Sequence, residues 1–136
     1  MQTLDTTHSK FIFISSHSTL IASVYAYYKS FAEHSLMLAI VYLSSIAYWC
    51  HPTTGLRRNI DIVLVHVSML YFYIVSFQCV DATAFRTAHA LTTLGAICFL
   101  VGLYHFHQGR IREYTLHHML LHMVGNGGII VLLSHL

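Results

Sequence analysis

The chain has 136 residues, of which 56% are hydrophobic and only 9% are charged, with a net charge of +2. Soluble domains average about 25% charged residues, so the composition excludes an ordinary soluble domain. The small net charge and the lack of a basic stripe exclude nucleic acid as a partner. We therefore predict one integral membrane domain over residues 1–136, helical throughout.

A helix needs about 20 mostly apolar residues to span a bilayer, and four segments meet that requirement. The predicted spans cover residues 31–49, 60–80, 84–106 and 116–136. The earlier segment 11–28 carries serine, histidine and threonine near its middle, so it is either a fifth span or a helix lying in the interface. Because the links between the spans are short, we predict an up-and-down bundle of antiparallel neighbours.

The links at residues 50–59 and 107–115 fall on one face of this bundle, which we call side B, and the opposite face is side A. Side B carries four arginines: Arg57, Arg58, Arg110 and Arg112. Side A carries only Lys29 and Arg86. The positive-inside rule places side B in the cytosol or its topological equivalent. The prediction is a multi-pass protein whose first partner is the lipid bilayer.

Histidines open the last predicted span, where His118 and His122 are four residues apart. This spacing puts both imidazoles on one face of a helix, from which they can reach one metal ion. The alternative for these residues is hydrogen bonding between helices or at the interface. No HExxH motif is present, so no glutamate is built in as a base.

Asp61 is the only acidic residue at the side-B end of a predicted span. It is either a functional carboxylate or a first-turn residue neutralised by the neighbouring arginines and favoured by the helix dipole. The side-B ends of the spans should gather the residues able to carry chemistry. We expect five of them to converge: His51, Asp61, His105, His118 and His122.

The order serine, histidine, short loop, aspartate and C-terminal HxxxH resembles the CREST superfamily, which contains alkaline ceramidases and adiponectin/progestin-type receptors. The resemblance implies a zinc ion held by His51, His118 and His122 near one membrane face. It further implies that Asp61 and Ser45 assist a metal-bound water in hydrolysing a lipid amide or ester.

The sequence departs from that family in two respects. The family has seven helices, whereas four or five are predicted here. The family serine stands four residues before its histidine, but the residue four after Ser45 is Trp49, and His51 is six away. An alignment anchored on Ser45 therefore loses one ligand to tryptophan, and one anchored on His51 places Ala47 at the serine.

Three other functions remain open from the sequence. Haem b could be ligated by His66 together with His118 or His122 on a facing helix. The chain could instead be an accessory subunit that binds other membrane subunits or a second copy of itself. A proton path through the same histidines and Asp61 is the third. The sequence leaves open whether the protein is an enzyme.

Overall fold

A computed structural model of the chain describes residues 6–52 and 55–136. In these residues the backbone forms five α-helices and no strand, which confirms the predicted all-α fold. The helices are α1 (Thr6–Tyr28), α2 (Ala32–Trp49), α3 (Leu56–Ser76), α4 (Ala82–His107) and α5 (Ile111–Ser134). Gly109 follows α4 with φ of 73°, the left-handed conformation that glycine adopts at low steric cost.

Consecutive helices run antiparallel. Gly95 of α4 lies against Gly125 of α5, whereas Gly102, further along α4, lies against His117, earlier on α5. The contacts of α1 with α2 and of α2 with α3 show the same reversal. The up-and-down arrangement predicted from the short links is therefore confirmed for the described helices, and their side-B ends meet at one end of the bundle.

The helices do not close evenly around the bundle. α1 packs against both α2 and α5, while α3 packs on the far side of α2 and α4 packs on the far side of α5. The spatial order is thus α3, α2, α1, α5, α4. Although α3 and α4 are consecutive in the chain, their backbones make no extensive contact, so a gap remains between them.

Helix α1 is polar toward the bundle and apolar toward the outside. Its buried polar side chains are Ser9, Ser15, Ser16, Thr19 and Ser23. Its large exposed side chains include Phe11, Ile14, Ile21 and Val24. This pattern is the reverse of a soluble helix and is typical of membrane bundles, where small polar residues join helices and apolar residues face lipid.

Three of the described helices, α3, α4 and α5, are long and apolar enough to cross a membrane by length and composition. Such helices indicate a membrane protein. The prediction counted four, and the segment 31–49 is the one that falls short. α2 has only 18 residues and includes Glu33, His34, Ser44 and Ser45, which lower its apolar content.

Two groups of buried apolar side chains hold the bundle together. The side-A cluster contains Ala22, Ala26, Leu38, Phe72, Val75, Ala88, Leu132 and Leu133. The smaller side-B cluster contains Ile12, Trp49 and Tyr114. Asp61, His118 and His122 lie between the two clusters, nearer to side B.

Candidate functional site: a cavity open between two helices

A cavity of about 370 Å³ lies inside the bundle, and all five helices contribute to its wall. Ile62 and Tyr73 of α3 and Leu100 of α4 line it, and they are also exposed by 37%, 53% and 63%. Side chains that line a cavity and remain exposed mark its opening. The cavity therefore opens sideways between α3 and α4, toward the apolar exterior of the bundle.

Asp61 lies in the wall of this cavity, close to its side-B end. Its side chain is buried, and Oδ1 accepts hydrogen bonds from Ser45 Oγ at 2.6 Å and from Ser44 Oγ at 3.1 Å. No described lysine or arginine forms an ion pair with it. Helices α2 and α3 run antiparallel, so the last turns of α2 face the first turns of α3, which brings these groups together.

His118 and His122 line the same cavity from α5, and their ring centroids are 4.9 Å apart. The Ser15 hydroxyl of α1 donates to the Ile12 carbonyl and lies 2.8 Å from His122 Nδ1. Because that hydroxyl proton is already used, His122 Nδ1–H is the donor to Ser15, and Nε2 keeps its lone pair. Nδ1 of His118 is buried and has no hydrogen-bond partner among the described residues.

Asn126 continues this polar stripe one turn further along α5. Its Nδ2 lies 2.9 Å from Ser18 Oγ, 3.0 Å from Thr19 Oγ1 and 2.7 Å from the His122 carbonyl, and its two hydrogens are shared among these three acceptors. Ser18 Oγ also lies 3.2 Å from that carbonyl. Ser15, Ser18 and Thr19 of α1 are thus bonded to α5, which fixes the rotation of both helices and the direction of the His122 ring.

Aromatic rings cover the histidine pair from side B. Trp49 is 3% exposed, and its ring centroid lies 5.0 Å from that of His118. The ring of Tyr114 lies 5.5 Å from the same imidazole. Trp49 Nε1 is buried and donates to no described atom. These rings separate the histidines from the aqueous end of the bundle.

Comparisons with protein families, characterised proteins and solved structures find no match for this chain. The site is therefore interpreted from its own residues.

Two of the five residues expected to converge lie elsewhere. His51 is exposed just beyond the end of α2 and does not line the cavity. His105 faces His117 on α5, with ring centroids 5.2 Å apart, and is also outside the cavity. The structure does bring Asp61, His118 and His122 to one cavity, and Ser45 with them.

His66, expected as a haem ligand, also lines the cavity. Its Nδ1–H donates to the Ile62 carbonyl at 2.7 Å, so Nε2 carries the free lone pair. The ring meets Phe99 of α4 edge-on, with centroids 6.3 Å apart. His66 and Phe99 therefore stand on opposite sides of the opening.

The zinc ion implied by the CREST resemblance does not fit this arrangement. Zinc sites in proteins use at least three protein ligands. No group of three His, Cys, Asp or Glu side chains in the described part of the chain is close enough together to hold a metal ion. His118 and His122 supply two donors, and His51, the third expected ligand, lies outside the cavity.

Sequence reasoning missed the partners of the histidine pair. Ser15, Ser18 and Thr19 belong to the polar run that made the segment 11–28 ambiguous. Their burial against α5 follows from their helical spacing, since residues three and four apart share a face. The signal available in the sequence was a pair of polar faces. One lies on the otherwise apolar segment 11–28, and the other is the His–Asn stripe of the last predicted span.

Proposed function

We propose that this chain is a multi-pass membrane protein that binds one single-chain lipid in its central cavity, without catalysing a reaction on it. The lipid would enter from the bilayer between α3 and α4. Its polar group would rest against Asp61, His118 and His122, and its chain would extend toward the side-A cluster. The chain would then be a non-catalytic counterpart of the lipid hydrolases that its sequence resembles.

The membrane placement rests on more than the three apolar helices. α1 exposes apolar side chains and buries serines, so we propose that it crosses the bilayer. α2 lies between α1 and α3 and would cross with them, giving a bundle of five spans. With side B carrying the arginines, the histidine pair would lie just inside the cytosolic interface.

The single observation that carries the proposal is the sideways opening of the cavity. A cavity closed to lipid and open to water would suit a soluble ligand, whereas this one meets the apolar exterior between α3 and α4. Its volume of about 370 Å³ is near the lower end of the roughly 300–1,000 Å³ typical of small-molecule pockets. A ligand with one chain suits that size better than one with two.

The polar end of the cavity favours a neutral, hydrogen-bonding head group. Asp61 and the Nε2 atom of His122 can accept hydrogen bonds, and Ser45 donates to Asp61. No lysine or arginine lines the cavity in the described part of the chain, so an anionic head group would have no counter-ion there. Hydroxyl, amide and ester groups satisfy these positions.

The test is lipid retention by protein purified in mild detergent, measured by native mass spectrometry and by binding of a pyrene-labelled monoacylglycerol. Ala96 lines the cavity, so Ala96→Phe should fill it and abolish binding. Ile97, its neighbour, is 51% exposed on the outside, so Ile97→Phe should leave binding unchanged. Equal binding by the two folded variants, or no binding by the wild type, would contradict the proposal.

One observation favours a second candidate, a haem b protein. His66 and His122 line one cavity from different helices, and both have Nε2 free for iron. Haem binding predicts a Soret band in the protein after haem addition, which His66→Ala and His122→Ala should each weaken. No Soret band in any preparation would remove this candidate and leave the lipid proposal standing.

An accessory role in a larger membrane assembly, or a homo-oligomer, is the third proposal. Its support is the outer face of α3, where Val63, Val67, Leu70 and Ile74 are exposed. Lipid alone also covers such a face, so mild-detergent purification followed by size measurement decides between them. Discrete partner subunits or a dimer would support the accessory role.

A further inference from the structure

We infer that Trp49 is the residue that keeps this site from binding a transition-metal ion, because its indole occupies the position from which a third donor would reach His118 and His122. The inference concerns the ligand set and does not depend on lipid occupying the cavity.

Trp49 and Ser45 lie on the same face of α2. Ser45 stands one turn earlier on the same helix, and its hydroxyl is bonded to Asp61 in the cavity wall. Residues four apart on a helix share a face, so Trp49 is directed to the same region. Its ring is in edge contact with the His118 ring, with centroids 5.0 Å apart, and it is 3% exposed.

The two histidines can each supply a nitrogen donor to a metal ion, whereas the indole of Trp49 cannot. His122 Nε2 has a free lone pair because Nδ1–H is bonded to Ser15, and His118 Nδ1 is buried without a hydrogen-bond partner in the described chain. Two imidazoles from one helix face are half of a tetrahedral site. An indole N–H has no lone pair and donates only, so Trp49 cannot complete the set.

A histidine in place of Trp49 would supply the missing donor from the same position on α2. A histidine at position 49 shares the Cα–Cβ bond of the tryptophan and the same staggered choices at χ1. With the same χ1 rotamer as the indole, an imidazole would occupy the part of the indole's space nearest the backbone and point toward His118. It is smaller than the indole, so it needs no expansion of the cluster formed with Ile12 and Tyr114.

The experiment compares metal content and Co²⁺ absorption of the full-length protein in detergent, after addition of Zn²⁺ or Co²⁺ and removal of excess metal. Trp49→His should retain about one zinc per chain and give the intense d–d bands of tetrahedral Co²⁺. The wild type should show neither. Adding His118→Ala or His122→Ala to Trp49→His should remove the bound metal.

Two control variants make the comparison specific. Trp49→Phe removes the indole without adding a donor, and Tyr48→His adds a histidine at the neighbouring position on a different side of the helix. Neither should bind more metal than the wild type. Folding of each variant is checked by size-exclusion chromatography and thermal unfolding, and Trp49→Cys, with a smaller donor, takes the place of Trp49→His if the latter does not fold.

Two results would overturn the inference. One is a wild-type protein that already retains one zinc per chain and loses it in His118→Ala. The other is a folded Trp49→His or Trp49→Cys protein that binds no more metal than Trp49→Phe. Lipid retention is measured on the same samples, so a failure of the lipid proposal appears separately from a failure of this one.

Discussion

Helix α4 is joined by a short link to α3 on one side and to α5 on the other, yet only the α4–α5 pair closes. α4 and α5 approach through small residues: a Cβ atom on Gly95 would lie 3.5 Å from the Gly125 backbone, and one on Gly128 would lie 3.0 Å from the Ala88 carbonyl. Glycine at these positions lets two backbones meet, which is how helices associate in a membrane. The α4–α5 seam is therefore the closed side of the bundle.

The α3–α4 side has large rings at the corresponding positions. The ring centroids of His66 and Phe99 are 6.3 Å apart. Nearer side A, the centroids of Tyr73 and His89 are 5.5 Å apart, and Ser76 is hydrogen-bonded to His89. Rings of this size hold the backbones apart, and the cavity opens between them. A short link thus sets the antiparallel direction of a helix pair, whereas the size of the facing side chains sets its spacing.

The largest effect is expected from a side chain that forces the closed seam apart. Gly128→Leu would bring Cβ to 3.0 Å from both the Ala88 carbonyl and Thr92 Oγ1, and such overpacking costs about 1–3 kcal/mol or more of unfolding free energy. Gly127 has no atom within 4 Å of its added Cβ, so Gly127→Leu is the matched control. Thermal or denaturant unfolding in detergent measures both.

Equal destabilisation by Gly127→Leu and Gly128→Leu would show that the loss of stability does not come from the close approach of α4 and α5 at Gly128. The contrast between the closed α4–α5 pair and the open α3–α4 pair would then lose its support.

The second prediction closes the open side. In a protein whose native cysteines are replaced by alanine, His66→Cys and Phe99→Cys are joined by a short bifunctional maleimide across the opening. Joining α3 to α4 should slow the exchange of a fluorescent monoacyl lipid by about tenfold, which corresponds to about 1.4 kcal/mol in the barrier. The uncrosslinked form of the same variant corrects for the loss of the two side chains.

The control for the crosslink joins helices that are already packed. Ser23 Oγ of α1 lies 3.2 Å from Ser35 Oγ of α2, so Ser23→Cys with Ser35→Cys gives a crosslink remote from the opening. Exchange should be unchanged there. An equal slowing by both crosslinks would point to general rigidity instead of an entrance between α3 and α4.

Local periodicity and short links were enough to predict much of this structure. The four-residue spacing of His118 and His122 placed them on one face, and their rings are adjacent. The pairing of Ser45 with Asp61 was implied by the family resemblance, and the antiparallel α2–α3 hairpin brings the two together, with Ser44 as a partner that was not predicted. In each case, the geometry of one helix or one hairpin decides the contact.

The residues that did not converge show what is missing from such reasoning. His51 and His105 are at the depth expected for side B, but depth does not fix rotation about the helix axis. His105 faces His117, and His51 lies past the last turn of α2. Rotation is set by packing between helices distant in sequence, such as α1 against α5, where Ser15 meets His122. Helical spacing marks a polar face on each of these two helices, but it does not say that the two faces pair with each other.

The third prediction concerns the polar contact that fixes α1 against α5. Asn126→Ala removes the donor to Ser18 and Thr19, and interhelical hydrogen bonds in membranes contribute about 0.6 kcal/mol on average and up to about 1.7 each. We expect a loss of about 1–2 kcal/mol in unfolding free energy. Ser134→Ala, which removes an exposed contact with Tyr25, should have little effect.

A double-mutant cycle with Ser18→Ala separates the bond from other losses at position 126. Additive effects of the two substitutions would mean that the contact between them stabilises nothing. A rise in lipid exchange in Asn126→Ala would also show that the closed α1–α5 side supports the shape of the cavity.

The smallest effect is expected at the side-A end of the open helix pair, where Asp81 precedes α4. Its Oδ1 accepts from Thr83 N at 2.7 Å and from Ala84 N at 3.1 Å, and His135 Nδ1 lies 3.3 Å from Oδ2. The Ala84 and Thr83 N–H groups, and then His135, hold the pKa of Asp81 below its usual value. Its stabilising contribution is therefore present above the usual carboxyl pKa of about 3.9 and is lost as the pH falls through the lowered value.

Asp81→Asn keeps an amide oxygen for the same N–H groups but cannot titrate. The difference in unfolding temperature between wild type and Asp81→Asn should stay constant from pH 7 to pH 5 and shrink below about pH 4. Running the pair in a His135→Gln background removes the imidazole next to the carboxylate. An unfolding-temperature difference that grows as the pH falls would have the wrong sign for a carboxylate stabilised by backbone N–H groups. It would show that the Asp81 cap does not stabilise the start of α4 beside the opening.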